Sequence, residues 1–121
     1  MEAAVRAHLI ADSAVAALAG TRIYPNVLPQ GVAYPAIRYQ RIDTPRVYTK
    51  GGYTGLSRPR LQIDCYAPTK KAAADLAAAV RTAMERYPRA VCENESDGYE
   101  PEPAPPVYVR TLEFRIWHEE A

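Results

Sequence analysis

The chain has 121 residues, 48% of them hydrophobic, and carries 15 Lys and Arg against 14 Asp and Glu, a formal charge of +1. That length fits one domain spanning residues 1–121, and the near balance of charge argues against a dedicated nucleic-acid binder, which would be strongly basic. No apolar run approaches the roughly 20 residues that span a bilayer, the opening residues lack the basic-then-apolar pattern of a secretion signal, and two cysteines make no disulfide framework, so a reducing compartment without membrane contact is expected. Much of the hydrophobic fraction is Ala and Tyr, which predicts a modest core, aromatic groups at the surface and stability that leans on partner subunits.

Glu2 to Ala11 places Val5, Leu9 and Ile10 among Ala and charged residues and reads as a short helix. Asp12 or Ser13 can cap a further helical stretch from Ala14 to Ala19, anchored by Leu18, with Gly20 as the stop; one bent helix and two separate ones are both compatible with this pattern. Thr21 to Tyr24 is a brief extended piece, and Pro25, Pro29 and Gly31 follow in a loop that cannot be helical. Pro35 opens a strand in which Ile37 and Tyr39 face one way and Arg38 and Gln40 the other; Ile42 breaks the alternation and marks a bulge or an end. Thr44 to Ser57 is rich in Gly and Thr and is expected as a long loop, mobile in the free subunit. With its flanks it holds Arg41, Arg46, Lys50, Arg58 and Arg60 against Asp43 alone.

Leu56 to Tyr87 is the organising stretch. Leu61, Ile63 and Cys65 alternate with Arg60, Gln62, Asp64 and Tyr66, the period of a strand with one buried face. After Pro68, Thr69 is a ready N-cap, and Ala73, Leu76, Ala77, Val80, Ala83, Met84 and Tyr87 then fall at helical spacing until Pro88. Arg89 to Glu93 suggests a short strand. Glu93 to Pro106 has no periodicity; its Glu93, Glu95, Asp97, Glu100 and Glu102 face no nearby cation in sequence, so an acidic, solvated loop is expected. Val107 to His118 closes the chain as a long strand, with Tyr108, Leu112, Phe114 and Ile116 on one face and Val109, Thr111, Glu113, Arg115 and Trp117 on the other. The predicted class is α+β, a mostly antiparallel sheet of about four strands with helices packed on one face.

Little in this pattern points to catalysis. His8 and His118 lie far apart and neither has a partner at metal-ligand spacing. Gly51-Gly52 lacks the Lys-Ser/Thr ending of a phosphate loop. Cys65 faces the core, and Ser57 has no base or orienting group around it. Asp64 and Glu113 could meet as a carboxylate pair, but Arg60 and Arg115 are equally near in sequence, which favours an ion-pair lattice on an exposed sheet face. No enzyme, cofactor or metal is expected. The residues that remain suit contact with other chains, because Arg and aromatic side chains are enriched in interface cores. Arg46, Tyr48, Lys50, Tyr53, Arg58 and Arg60 of the basic stretch, Glu93, Glu95, Asp97, Glu100 and Glu102 of the acidic one, and Arg115 and Trp117 of the last strand are the candidates, with Arg38 and Tyr66 beside them.

Four pieces in order carry a family resemblance: AVAALAGTRIYP (Ala14 to Pro25), LPQGVAYPAIRYQRI (Leu28 to Ile42), LSRPRLQIDCYAPTKKAAADLAAAVRTAM (Leu56 to Met84) and VRTLEFRIWHEE (Val109 to Glu120). Together they resemble the tail completion, or tail terminator, proteins of long-tailed phages and related gene transfer agents. The resemblance implies a structural virion protein, assembled in the host cytoplasm. It would form a ring, usually hexameric, on the head-proximal end of a finished tail tube, stop the tube's growth and present the surface that the head connector joins. The implied partners are copies of itself, the tail tube protein and the connector, with DNA passing through the lumen without specific binding. A head-tail connector or stopper is the nearest alternative. A small nucleic-acid-binding module that stacks bases on Tyr39, Tyr66 or Trp117 is a more distant one.

Overall fold

Asp12 divides the opening helical segment in two. In the computed structural model, which describes residues 1–101 and 106–119, its backbone is extended (φ −77°, ψ 124°) between α1 (Glu2–Ala11) and α2 (Ser13–Ala19), and its carboxylate accepts hydrogen bonds from the N–H groups of Ala14 and Val15. That cap satisfies two of the orphan donors of α2. Val15 and Ala19 anchor α2 in the core; Leu18, the expected anchor, is exposed. Gly20 ends it at φ 59°, a left-handed value that costs other residues more.

The remaining elements are β1 (Ile23–Pro25), β2 (Ala36–Asp43), β3 (Arg46–Thr49), β4 (Gly52–Ser57), β5 (Arg60–Ala67), α3 (Lys70–Glu85), β6 (Ala90–Glu100), β7 (Val107–Ile116) and β8 (His118–Glu119). They form a five-stranded sheet in the order β1-β2-β5-β7-β6 and a three-stranded one in the order β3-β4-β8. In the larger sheet only β1–β2 is parallel; the other neighbours are antiparallel. The α+β reading holds, with one strand more in the main sheet than expected and a second sheet beside it. The register slips between Arg41 and Asp43, placing a bulge at Ile42 where alternation breaks in the sequence.

All three helices cover one face of the main sheet. Thr69 caps α3 through the Ala72 N–H at 3.1 Å, and Ala73, Leu76, Ala77, Val80, Ala83 and Met84 are its buried stripe. They meet Ile37, Tyr39, Leu61, Ile63, Cys65, Leu112, Phe114 and Ile116 from the strands and Val5, Leu9 and Val15 from the first two helices. Each fully buried Leu or Ile there contributes about 1.5–3 kcal/mol. Tyr87 packs on this core from just beyond the helix end. The opposite face has a smaller cluster: Tyr66, Val107 and Val109 under Leu28 and Tyr34. Val109, expected to point outward among polar residues, is therefore buried, because the loop before β2 folds over it.

Two stretches expected as loops are ordered strands. Thr44 to Ser57 forms the β3–β4 hairpin with a turn at Lys50 and Gly51, and Glu93 to Glu100 belongs to an eleven-residue strand, β6. Both are held by partners distant in sequence: β4 by β8, and β6 along its whole length by β7.

Candidate assembly surfaces

The hairpin presents aromatic and basic groups on a small ladder. Tyr48 and Tyr53 are directly opposed, ring centroids 5.4 Å apart, and are 65% and 43% exposed. Exposed phenol rings paired across strands stabilise the ladder and still leave apolar area for a partner. Thr54 Oγ1 donates to the Val47 carbonyl at 2.7 Å where the register shifts, and Gly55 in that bulge has φ 85°. Lys50 sits exposed at the tip and Arg46 at the base. The Arg58 N–H donates to the Pro45 carbonyl at 2.8 Å, closing the hairpin, and its guanidinium lies 5.3 Å over the Trp117 ring. Trp117, 40% exposed, separates β7 from β8.

At the other edge, every residue of β6 after Ala90 is exposed. Its acids do not lack cations. Glu93 pairs with Arg115 at 3.3 Å and lies 3.9 Å from Arg60; Glu95 pairs with Arg81 at 3.3 Å and Arg110 at 3.1 Å; Asp97 pairs with Arg110 at 2.7 Å. The sequence hid this because the partners arrive from β7 and α3 across the ladder. Arg110's hydrogen bond holds the Asp97 carboxyl below the usual carboxylate range. Exposed pairs gain little in a high-dielectric setting, so they fix geometry more than stability. Arg115 is the exception in placement. Its side chain is 15% exposed and joins Glu93, Asp43 at 3.2 Å and the Arg58 carbonyl at 2.9 Å, tying the hairpin base to both edges of β7's neighbourhood. Arg60 Nε is buried without a hydrogen bond, the Glu93 oxygen being too distant. Glu100 is exposed at the far end of β6, and Glu102 lies outside the described residues.

Between these edges, on the face away from the helices, Asp64 is 1% exposed. Arg38 Nε donates to it at 2.9 Å with a second, shorter contact from Nη2, Gln62 Nε2 donates at 3.0 Å and Thr111 Oγ1 at 2.6 Å. A buried carboxylate requires this saturation. An ion pair is present as expected, but with Arg38 in place of Arg60 or Arg115, and the carboxylate is buried where an exposed sheet face was expected. Glu113 accepts instead from Asn94 at 3.4 Å. Arg38 also lies 5.9 Å from the Tyr66 ring centroid, and burial pushes the Tyr66 hydroxyl up to about 12. Tyr66 and Tyr39 are each 5% exposed, so neither is a stacking platform, and Arg38 and Tyr66 are committed within the subunit.

The nucleophile candidates are similarly engaged. Cys65 is fully buried, and desolvation pushes its thiol far up. Ser57 is buried and its hydroxyl faces the His118 carbonyl at 3.5 Å. His8 Nε2 donates to the Ala83 carbonyl at 2.7 Å, with Tyr87 edge-on at 5.3 Å. Among the described residues, no three His, Cys, Asp or Glu side chains are placed to share a metal, and no helix is long and apolar enough to cross a membrane. One surface escaped sequence reasoning. Tyr99 of β6 and Tyr108 of β7 stack at 4.9 Å and, with Lys70, Ala73 and Asp97, line a cleft of about 290 Å³. The signal was a tyrosine inside the acidic SDGYE run, visible only once that run is known to be a strand.

A small α+β domain that ties most acids of β6 into ion pairs and exposes aromatic groups at two separate strand edges has the surfaces of an assembly domain. The family model for tail completion protein gp17 matches residues 3–119, and the chain belongs to that family: it is a structural protein of the phage-type tail, a component of the virion. A chain in the structure titled "Virion of native gene transfer agent (GTA) particle" has the same fold, with a TM-score of 0.74, 23% identity, and coverage of 98% of this chain and 94% of that one. No curated protein matches.

Proposed function

We propose that residues 1–121 act as one domain that caps the head-proximal end of the tail tube as a ring, hexameric when assembled. The ring ends tube polymerisation and offers the head-joining surface. The observation that carries this reading is the pair of unlike edges on a single subunit, the basic hairpin and the acidic strand β6. Unlike patches join head to tail, and head-to-tail contacts close into rings when the rotation permits. The partners on this reading are further copies of the chain, the tail tube protein and the head connector, met in the host cytoplasm. Near-neutral charge supports a conduit role, because a strongly cationic lumen would hold DNA by neutralising phosphates.

Electron microscopy of particles made with and without the protein tests the assignment. Its loss is expected to give overlong tubes. Tubes of normal length would remove the capping role, and filled heads lacking tails beside such tubes would assign the protein to the connector.

A further inference from the structure

The two edges fit one another as well as any outside partner. Thr44 to Arg60 carries Arg46, Lys50, Arg58 and Arg60 and no acid, whereas β6 carries Glu93, Glu95, Asp97 and Glu100 and no base. Among the described residues no strand pairs with the outer side of β6, which leaves a row of backbone donors and acceptors that a strand from another chain can pair. Within one copy the hairpin base already meets the near end of β6, where Arg60 lies 3.9 Å from Glu93. The far end is out of its reach. β7 pairs with β6 from Ile116 at the hairpin end to Val107 at Glu100, nine residue steps or roughly 30 Å at strand rise. There the Tyr99–Tyr108 cleft opens, about 290 Å³ in volume, with Tyr99 52% exposed; Glu100, the next residue, is exposed on the opposite face of the strand, in the hollow that Arg38 and Tyr66 line. The cleft has the size and chemistry for one more aromatic ring.

We infer that the β3–β4 hairpin of one copy seats on the far end of β6 of a second copy, Tyr48 entering the Tyr99–Tyr108 cleft on one face and Lys50, in the turn, reaching around the strand edge to Glu100 on the other. This rests on the ring reading above, and supplies the head-to-tail joint from which such a ring is built. An exposed Tyr48 and an exposed Tyr99 are both covered in that joint. The opposite signs of Lys50 and Glu100 also select this pairing over contact between two hairpin tips or two β6 ends, which would bring Lys50 to Lys50 or Glu100 to Glu100.

Full-length protein bearing Lys50→Cys and Glu100→Cys, with Cys92→Ser to remove the exposed thiol, is assembled onto tails and mildly oxidised. A ladder of covalent multimers is expected on a non-reducing gel, and monomer from either single-cysteine variant. Rings visible on tails whose protein stays monomeric on the gel would overturn the joint and leave the ring standing. A ladder from tails without rings would keep the joint and overturn the ring; absence of both would overturn both. Independently, Tyr48→Ser is expected to lower the fraction of tails carrying the protein at least tenfold, and unchanged occupancy would overturn the seating of Tyr48.

Discussion

β5 and β6 flank the same strand, β7, and both pair with it antiparallel along most of their length. Every residue of β5 except Arg60 and Gln62 is buried, whereas every residue of β6 except Ala90 is exposed. β5 has a second neighbour in β2, helices on one side and a saturated polar network on the other. Among the described residues β6 has one neighbouring strand, β7. The backbone conformation is shared, and what differs is the number of layers and ladders that each strand completes. A strand's place in the sheet thus decides whether its side chains specify the fold or address a partner.

That contrast can be broken at its strongest point. Ile63→Ala in β5 is expected to cost about 2–5 kcal/mol, from lost burial and the cavity left behind. Asp64→Ala should cost about 3–5 kcal/mol, since it strands Arg38 and Thr111 without their acceptor. Denaturant titration measures both, and a loss under about 1 kcal/mol would mean that β5 is not the centre of stability. Between the extremes stands Asp12, which caps α2 and pairs with Arg86 at 2.5 Å. Asp12→Ala should cost about 1 kcal/mol at neutral pH. The Val15 N–H hydrogen bond, with help from Arg86, holds this carboxyl below its ordinary value. Its contribution is therefore fully present above the unfolded-state pKa near 3.8 and is lost as pH falls through the lower folded-state value. Wild type and variant should converge in stability below that range, and a constant gap would assign the effect elsewhere. The smallest effect belongs to β6. Glu95→Gln with Asp97→Asn is expected to leave stability nearly unchanged, with any difference shrinking in high salt. A cost rivalling that of Ile63→Ala would erase the distinction between the two strands.

The same contrast explains what could be read from the residues alone. β5, β7 and α3 show their period because one face of each is buried against the other two; Thr69 and Asp12 announce the helices they cap. The bulge at Ile42 is visible for the same reason, as a fault in an alternation. β6 has no alternation because neither of its faces is buried, and its extended state is imposed by hydrogen bonds to β7, from partners as far off as Ile116 for Ala90. The β3–β4 hairpin is short, Gly-rich and closed by β8, so its local pattern resembles a loop. Charge was legible in amount but not in pairing. Glu93, Glu95 and Asp97 look unpartnered until β7 and α3 deliver Arg115, Arg110 and Arg81. Arg38 and Tyr66 have the composition of an interface and instead complete the Asp64 network.

One feature of β7 bears on how the molecule carries load. It begins beside Glu100 at Val107, runs to Ile116 and, past the single residue Trp117, becomes the β8 strand that holds the hairpin. Extended backbone resists stretching far better than a loop does. A pull on the hairpin therefore travels as tension along one continuous tie-rod to the opposite end of the subunit, without asking the helices or the turns to deform.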